Sequence, residues 1–452
     1  MIKPKKDQSQ TSFFLPLEAM LDQKNPLYQL ANTIDWEQFE KAFTPLYCED
    51  NGRPAKPIRL MVGLLILKHL RNVSDEVIVE QWAENVYYQH FCGEAVFIPC
   101  APCAATELVV FRKRIGDSGI ELILKESIRI NGKDSNDPNA SADTTVQEKN
   151  ITYPTDNKLH RKIIERCKKI SEKEDLPVRQ SYTQTLKKLG VNQRFRNHPK
   201  NKSKVRKADK KVKTIAGRLV REIERNLPPN SKHQIDLELF KKILSQQRAD
   251  KNKVYSLHEP EVLCISKGKE HKKYEFGNKA SIILTQKTGV IISALSFRNP
   301  YDGHTLESAL EQTDRLLEKN NLETITTDRG YRGVTKIQGI TVLTPKPFND
   351  KKQNKYQQQK LRKQFQKRAG IEPIIGHLKT DHRLGRNFYK GIIGDNINVM
   401  LSAAAFNFKR MMNKWKKIFL IFLETIFFKI LMINIFNQKS KLAFSGSTNY
   451  KR

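Results

Sequence analysis

The chain has 452 residues and a formal net charge of +33 at pH 7. This length allows two or three domains, and a soluble protein this basic is expected to meet a polyanion, usually nucleic acid. The six cysteines are few and irregularly placed, and no apolar core follows the basic first residues. The composition therefore argues against a secreted, disulfide-bonded protein and indicates a reducing cytoplasm.

The first part of the chain is predicted to be helical. Residues 1–11 are polar and expected to be disordered, whereas the apolar spacing from Ser12 to about Ile130 is helical. A strong helix is predicted at 57–70, and Ser74 is a natural N-cap for a second helix at 75–88. Two helices across a short turn fit either a helix-turn-helix unit or a plain helical bundle, and the pattern does not choose between them.

Cys100 and Cys103 have the spacing of half a zinc site. No second pair of cysteines or histidines at ligand spacing completes it. We therefore expect ordinary buried thiols rather than a structural zinc ion at this position.

The middle of the chain combines a linker with a long basic stretch. Residues 131–142 are polar and read as a linker, and Asp143 follows them. Lys158 to Asn226 is predicted to be helical and is heavily basic. Such a charge run is usually a solvated face, but in a chain this basic we expect it to contact phosphate.

The next part alternates strands and helices. Strands are predicted at 254–257, 262–265, 281–285 and 290–295, with a turn at 287–289. A helix at 306–319, strands at 324–327 and 339–343 and a basic helix from about Gln353 follow. Asp328 stands directly after the strand at 324–327. A sheet interrupted by helices, with acids at strand ends, is an α/β arrangement.

A lone acid, Glu372, lies in a basic stretch, with Arg368 four residues before it and Lys379 seven after it. Helical spacing would place these three side chains on one face, although Pro373 requires the helix to kink at Glu372 or to start there. Together with Asp143 and Asp328, this acid predicts metal-dependent chemistry on DNA.

Each acid also has an ordinary explanation. Asp143 could be a turn or cap residue, with Asp134 and Asp137 as rivals nearby. Asp328 could cap a loop, and Glu372 could be a surface ion-pair partner. Asp302 is a candidate fourth acid, although its Asn-Pro-Tyr-Asp-Gly-His context is also ordinary turn chemistry.

The order Asp143, Asp328, Glu372 resembles the DDE transposases of bacterial insertion sequences. The spacing Arg368-x3-Glu372-x6-Lys379 looks like their Tyr-x2-Arg-x3-Glu-x6-Lys signature of the IS4/IS5-type groups, except that Phe365 occupies the Tyr position. The likeness to the IS5 family is wider than this signature and covers most of residues 12–410. It includes the segments 143–156, 256–260, 277–279 and 299–306.

The resemblance implies an α/β fold. It predicts an RNase H-like DDE catalytic domain at 131–410 with a basic helical insertion at about 158–250. An all-α N-terminal DNA-binding domain at 12–130 would precede this domain, and a basic and apolar tail at 411–452 would follow it.

The same resemblance implies the chemistry. Asp143, Asp328 and Glu372 would be both catalytic residues and ligands of two Mg²⁺ ions, for which Mn²⁺ is expected to substitute. The reaction would be hydrolysis at the element ends and attack of the freed 3′-hydroxyl on target DNA, each as an in-line displacement at phosphorus. The cations expected to bind DNA are Arg368, Lys379, Arg329, Arg332, Arg383 and Arg386.

The expected partners are double-stranded DNA, as element ends and as target, and further copies of the chain in a homodimer or larger assembly at the nucleoid. A catalytically inactive DNA-binding relic or a repressor of transposition is the alternative, and Phe365 leaves it open. The apolar segment 418–436 favours a packing or dimer helix over a membrane span, because Glu424, Lys429 and Asn434 interrupt it.

Overall fold

The structure is a computed structural model that describes residues 16–48, 54–247, 249–266, 272–345 and 355–445. The predicted disordered tail at 1–11 lies outside these ranges. The chain forms two compact units. The first unit comprises Met1–Thr145, Ala280–Gly385 and Asn396–Arg452, and the second comprises Val146–Lys279 and Arg386–Asp395.

Seven helices form the N-terminal part of the first unit among the described residues. The predicted helix at 57–70 is confirmed, and it is buried along nearly its whole length because apolar residues cover all its faces. Asn72 ends this helix in the left-handed conformation, with φ of 57°. The helices are α1 (Leu17–Met20), α2 (Pro26–Thr33), α3 (Trp36–Phe43), α4 (Ile58–Arg71), α5 (Asp75–Glu84), α6 (Val86–Phe91) and α7 (Ala105–Asn131).

The predicted N-cap of α5 is confirmed, because the Ser74 hydroxyl accepts a hydrogen bond from the Val77 amide at 3.2 Å. The predicted continuation of this helix to Tyr88 is wrong. Asn85 interrupts it and caps α6 by accepting from the backbone amides of Tyr87 and Tyr88.

The two alternatives for this helix pair differ in which surface would face DNA. The solvent side of α5 carries Glu76, Glu80 and Glu84, spaced four residues apart and therefore in one row. A row of carboxylates repels phosphate, and α4 is buried. The structure thus favours the helical bundle over a pair in which α5 enters a DNA groove.

Eight strands form the sheet within the described residues, and they pair both parallel and antiparallel. In the first unit the strand order is β3-β1-β5-β7-β6, with β4 paired to β3. β1, β5 and β7 are parallel, and β6 is antiparallel to β7. The strands are β1 (Asn139–Lys149), β2 (Leu263–Ser266), β3 (Tyr274–Thr285), β4 (Ile291–Phe297), β5 (Thr324–Thr326), β6 (Lys336–Ile337), β7 (Ile340–Leu343) and β8 (Arg386–Asn387).

The mixed α/β content predicted from the sequence is confirmed. Helix α12 (Asp302–Leu316) packs its apolar side, including Leu306 and Leu310, against Ile283 and Ile325 of the sheet. The predicted strand at 254–257 is wrong, because the chain there is extended without a strand partner. The other five strands predicted between 262 and 343 are present, with ends shifted by up to seven residues.

The second unit is mainly helical. Its helices are α8 (Asp156–Lys173), α9 (Thr183–Asn192), α10 (Lys202–Asn226) and α11 (Gln234–Ser245), which follow β1 in the chain and precede β2. They share an apolar core that includes Ile163, Leu219 and Phe240. In the same unit β2 pairs antiparallel with the start of β3, and β8 pairs parallel with the end of β1.

Three more helices complete the described part of the chain: α13 (Lys355–Arg368), α14 (Ile371–Asp381) and α15 (Gly391–Ser445). The prediction that Arg368, Glu372 and Lys379 share one helix face is wrong for Arg368. Helix α13 ends at Arg368, before Gly370. Pro373 lies in the first turn of the next helix, α14, where its missing N–H costs no hydrogen bond. The segment 418–436 belongs to α15, and none of the helices searched in the described residues is long and apolar enough to cross a membrane.

Candidate functional site

Two of the three predicted catalytic acids lie at matching positions relative to two parallel strands. Strands β1 and β5 are parallel, and the last paired positions are Ser141 and Thr326. Asp143 and Asp328 each come two residues after those positions. Asp143 lies within β1, which continues to Lys149, and Asp328 follows the end of β5. Because the two strands run parallel and both acids stand two residues beyond the same paired position, the register brings them together.

Asp328 is held by the turn that follows β5. Its Oδ1 accepts a hydrogen bond from the Gly330 amide at 2.8 Å, and so caps the short 3₁₀ turn Arg329–Tyr331. The carboxylate is half-buried. Asp328 therefore caps a loop, as its ordinary explanation predicted. The same hydrogen bond also fixes the direction of the second carboxylate oxygen.

Asp302, the candidate fourth acid, is part of the same cluster. A Cβ added to Gly330 would lie 2.6 Å from Asp302 Oδ2 and 2.9 Å from Asp328 Oδ1, so both carboxylates border this glycine. The Thr144 hydroxyl donates to Asp302 Oδ1 at 2.9 Å. Asp302 thus connects the turn after β5 with the residue next to Asp143.

Tyr331 lies beneath these acids and is fully buried. Burial raises the pKa of its hydroxyl, and the negative charges of Asp143, Asp302 and Asp328 raise it further. The Thr305 side chain acts in the opposite direction. Tyr331 therefore stays protonated, and its surroundings show that three carboxylates converge on one small region.

Arg368 reaches the cluster from the end of α13. Its Nη2 lies 3.1 Å from Asp143 Oδ2, and the two side chains are 17% and 16% exposed. Asp143 Oδ1 accepts from the Thr144 amide at 2.8 Å. A charge-assisted bond in such a shielded place is stronger than a surface ion pair, so Arg368 holds the Asp143 carboxylate in one orientation.

Glu372 and Lys379 lie on α14, away from this pair. The Glu372 side chain is exposed in the first helical turn, and no contact joins it to Asp143 or Asp328 in the part of the chain that is described. Lys379 is half-buried in the last turn. The structure thus brings together two of the three predicted acids with Arg368 and Asp302, and leaves Glu372 outside.

The other predicted DNA-binding arginines have different surroundings. Arg329 and Arg332 are exposed in and after the turn that Asp328 caps. Arg383 is half-buried, its carbonyl accepts from Asn398 at 3.1 Å, and its charge lowers the pKa of buried Lys68. Arg386 is exposed on β8 of the second unit.

The carboxylate cluster suits a hard cation by its chemistry. Carboxylate oxygens are among the ligands that Mg²⁺ prefers. Oxygens of Asp302 and Asp328 border Gly330, and the charges of these two acids and of Asp143 raise the pKa of Tyr331 beyond the effect of burial. However, no three His, Cys, Asp or Glu side chains among the described residues stand close enough to hold a metal ion as they are placed. At Cys103, one of the two cysteines with the spacing of half a zinc site, burial raises the pKa of the thiol to about 11.

Several residues of the family-like segments meet in a second cluster, which the sequence reasoning missed. Lys149 Nζ lies 2.8 Å from Asp395 Oδ1 and 3.5 Å from Glu259 Oε2. Asn278 and Asn387 donate to the same Asp395 carboxylate at 2.5 and 2.6 Å. All five side chains are buried in the second unit. Lys149, Glu259 and Asn278 lie in segments that resemble the family, but nothing in these segments indicated that their side chains are close together.

Comparison with known proteins gives two matches to transposase family models. Residues 15–114 match a family model described as a transposase domain (DUF772), and residues 240–408 match one described as a transposase DDE domain. Asp302, Asp328 and Glu372 fall inside the second match, and Asp143 falls between the two.

One curated relative is an uncharacterized protein, ORF8 in the nfe locus of Rhizobium meliloti. It is 39% identical over 187 residues, which are 40% of this chain and 90% of the relative. No solved structure matches the chain significantly. The transposase DDE domain uses divalent metals and acts on DNA. The chain belongs to the DDE transposases of the IS4/IS5 type.

Proposed function

We propose that this transposase binds the inverted-repeat ends of an insertion sequence of the IS5 family and catalyses strand cleavage and strand transfer. The observation that carries the proposal is that Asp143 of β1 and Asp328, which follows β5, each lie two residues beyond the last paired position of these parallel strands. This arrangement is compatible with an RNase H-like catalytic domain. The domain limits predicted from the sequence remain part of this proposal.

Asp143, Asp328 and Glu372 would hold Mg²⁺, and Mn²⁺ would substitute. Bound there, the metal supplies activation of the attacking oxygen and stabilisation of the leaving oxygen at phosphorus. Asp302 orients this carboxylate cluster through Thr144 and the Gly330 turn. Arg368 keeps Asp143 oriented and presents its remaining donors to a phosphate.

Exposed Glu372 joins the acids by movement of α14 when DNA and metal bind. The Glu372 side chain is exposed and forms no hydrogen bond or ion pair within the described residues, whereas Ile371 and Leu378 of the same helix are fully buried. Lys379 of the same helix, with Arg329 and Arg332 beside Asp328, would bind phosphate oxygens near the scissile bond. A homodimer or larger assembly would pair two element ends.

The test is cleavage of a labelled duplex made from the DNA that borders the gene, with and without Mg²⁺. Wild type is expected to nick it only with metal, and Asp328→Asn to bind but not to nick. Asp302→Asn is expected to nick 10- to 100-fold more slowly, as expected for a residue that orients metal ligands. Glu307→Gln is the control, since this exposed acid lies on the same helix as Asp302.

The same experiment separates the proposal from the alternative of an inactive DNA-binding relic or repressor. That alternative has one observation in its favour, because Arg368 already engages Asp143 and Glu372 stands apart. It predicts tight binding of the duplex with no nicking at any metal concentration. Such a result for wild type would refute the catalytic assignment and keep the DNA-binding one.

A further inference from the structure

Helix α10 of the second unit has two sharply different faces. Its apolar residues, among them Val212, Leu219 and Ile223, are buried against the core that it shares with α8 and α11. The rest of the helix is cationic, with ten lysines and arginines and three acids in 25 residues. The cations Lys207, Lys211, Arg218, Arg221 and Arg225 are all exposed.

The three acids of α10 form no ion pair with these cations within the described residues, and each accepts a hydrogen bond from another segment. Asp209 accepts from Arg196 at 2.8 Å, and Glu222 accepts from the backbone amide of Arg179 at 2.8 Å. Glu224 pairs with Lys241 of α11. Within the described residues, none of the ten cations of α10 forms an ion pair.

The neighbouring helix α8 shows that basic composition alone does not produce such a face. Its Arg161 donates to the Gln193 side chain at 2.7 Å, and its Arg166 lies 3.9 Å from Asp236. Lys158, Lys162 and Lys168 donate to oxygens of nearby loops or helices. These five cations of α8 therefore serve internal contacts, whereas the cations of α10, which form no ion pair within the described residues, are available for an external anion.

Five of the exposed cations of α10, namely Lys207, Lys211, Arg218, Arg221 and Arg225, form one row, because spacings of three, four and seven residues return to the same helix face. The row extends over 18 residues, or about 27 Å at 1.5 Å per residue. A straight row of this length matches a regular linear polyanion better than a compact phosphate ligand. We propose that this face of α10 binds the sugar-phosphate backbone of duplex DNA as a docking surface apart from the catalytic acids.

This inference rests on the proposed function, since it takes DNA as the partner. The test uses the full chain and a fluorescent 30-base-pair duplex, with the dissociation constant measured by anisotropy over a series of KCl concentrations. The variant combines Lys207→Gln, Lys211→Gln and Arg218→Gln, which keep good helix formers in place. The charge-matched control neutralises three exposed lysines of the first unit, namely Lys125→Gln, Lys133→Gln and Lys319→Gln.

The α10 variant is expected to bind more weakly and to lose about 0.9 from the salt slope for each phosphate contact removed. The control is expected to keep the wild-type slope, and far-ultraviolet circular dichroism should show unchanged helix content for both. Equal slopes for wild type and the α10 variant would overturn the proposal, as would equal losses in variant and control. A loss seen with RNA and not with duplex DNA would also overturn it.

Failure of this inference differs from failure of the proposed function. A wild-type protein that nicks its duplex while the α10 variant binds and nicks equally well would remove the docking surface and leave the transposase mechanism intact. Conversely, Asp328→Asn with lost nicking and an unchanged salt slope would support the separation of catalysis from α10 docking.

Discussion

Arg368 Nη2 lies 3.1 Å from Asp143 Oδ2, so the end of α13 is tied to the middle of β1 across 225 residues of sequence. The contact places an arginine of the family-like signature on the first predicted catalytic acid. In the proposed mechanism Arg368 would bind a phosphate near the scissile bond, and for this it must itself be oriented. Asp143 supplies that orientation.

Arg368→Gln is expected to lower the free energy of unfolding by about 1–2 kcal/mol, because a shielded charge-assisted bond is lost. Arg368→Lys keeps the charge but not the planar set of donors. Its free energy of unfolding should therefore lie between those of wild type and Arg368→Gln. Urea unfolding followed by tryptophan fluorescence measures this. Equal unfolding midpoints for all three proteins would show that the ion pair contributes nothing to stability.

Gly330→Ala tests the carboxylate cluster without removing a charge. The new Cβ would lie 2.6 Å from Asp302 Oδ2 and 2.9 Å from Asp328 Oδ1, so at least one carboxylate must move. We expect nicking to fall at least about tenfold, as for other changes next to metal ligands. The control is Gly376→Ala in α14, where an added Cβ meets no atom within 4 Å. Nicking reduced equally in both variants would separate the loss from the cluster.

A third prediction concerns the buried ion pairs of the N-terminal helices. Arg112 donates two hydrogen bonds to the Asp75 carboxylate, at 2.8 and 2.7 Å, and Lys68 donates a third at 2.9 Å. Burial raises the pKa of Asp75, but these partners outweigh it and bring the pKa to about 2, below its ordinary 3.8. Asp75→Asn leaves two buried cations short of a partner and should cost about 3 kcal/mol near pH 6.

The pH dependence of this cost has a definite sign. Because the folded-state pKa of Asp75 is depressed, its stabilising contribution is fully present above pH 3.8 and is lost as the pH falls through about 2. The difference in unfolding free energy between wild type and Asp75→Asn should therefore shrink between pH 4 and pH 2. A difference that stays constant over this range would contradict the assigned pKa.

Structural features that depend on a few neighbouring residues were predicted from the sequence. Ser74 caps α5 as predicted, and Asp328 follows its strand as predicted, because both depend on a few adjacent positions. A break near Glu372 was signalled by Pro373, yet the helical spacing of Arg368, Glu372 and Lys379 suggested one shared helix face. The apolar run at 254–257 has strand propensity but forms no strand, although Tyr255 contacts Phe276 of β3, so propensity alone does not make a sheet.

Contacts between residues that are far apart in the chain could not be predicted from a single sequence. Asp302 was a candidate fourth acid with turn chemistry as the alternative, and nothing local shows that Thr144, 158 positions earlier, donates to it. Glu372 was predicted from its place in a spacing pattern, but its position relative to Asp143 depends on how α14 is oriented. Charge composition predicted a basic insertion, whereas only the contacts show which of its helices keeps its cations unpaired.

The buried cluster of the second unit provides the last prediction. Lys149 Nζ donates to the Tyr389 carbonyl at 2.8 Å and lies 2.8 Å from Asp395 Oδ1. Burial raises the pKa of Asp395 despite the charge of Lys149 and the hydrogen bonds it accepts. Lys149→Met removes the compensating charge and should cost about 3 kcal/mol at pH 7.

The cost of Lys149→Met should grow as the pH rises, as that of Asp75→Asn does, but over a higher pH range. Without Lys149 the pKa of Asp395 rises further, so the folded variant binds a proton that the unfolded chain releases, and its stability deficit grows as the pH rises from 4 to 7. Adding Asp395→Asn to Lys149→Met should recover part of the loss, because the unpaired buried carboxylate is then gone. Urea unfolding of the two single variants and the double variant at pH 4, 5.5 and 7 measures this coupling. A double variant whose loss equals the sum of the single losses at every pH would show that the two side chains act independently, and that the cluster is held by its asparagines and backbone carbonyls rather than by this ion pair.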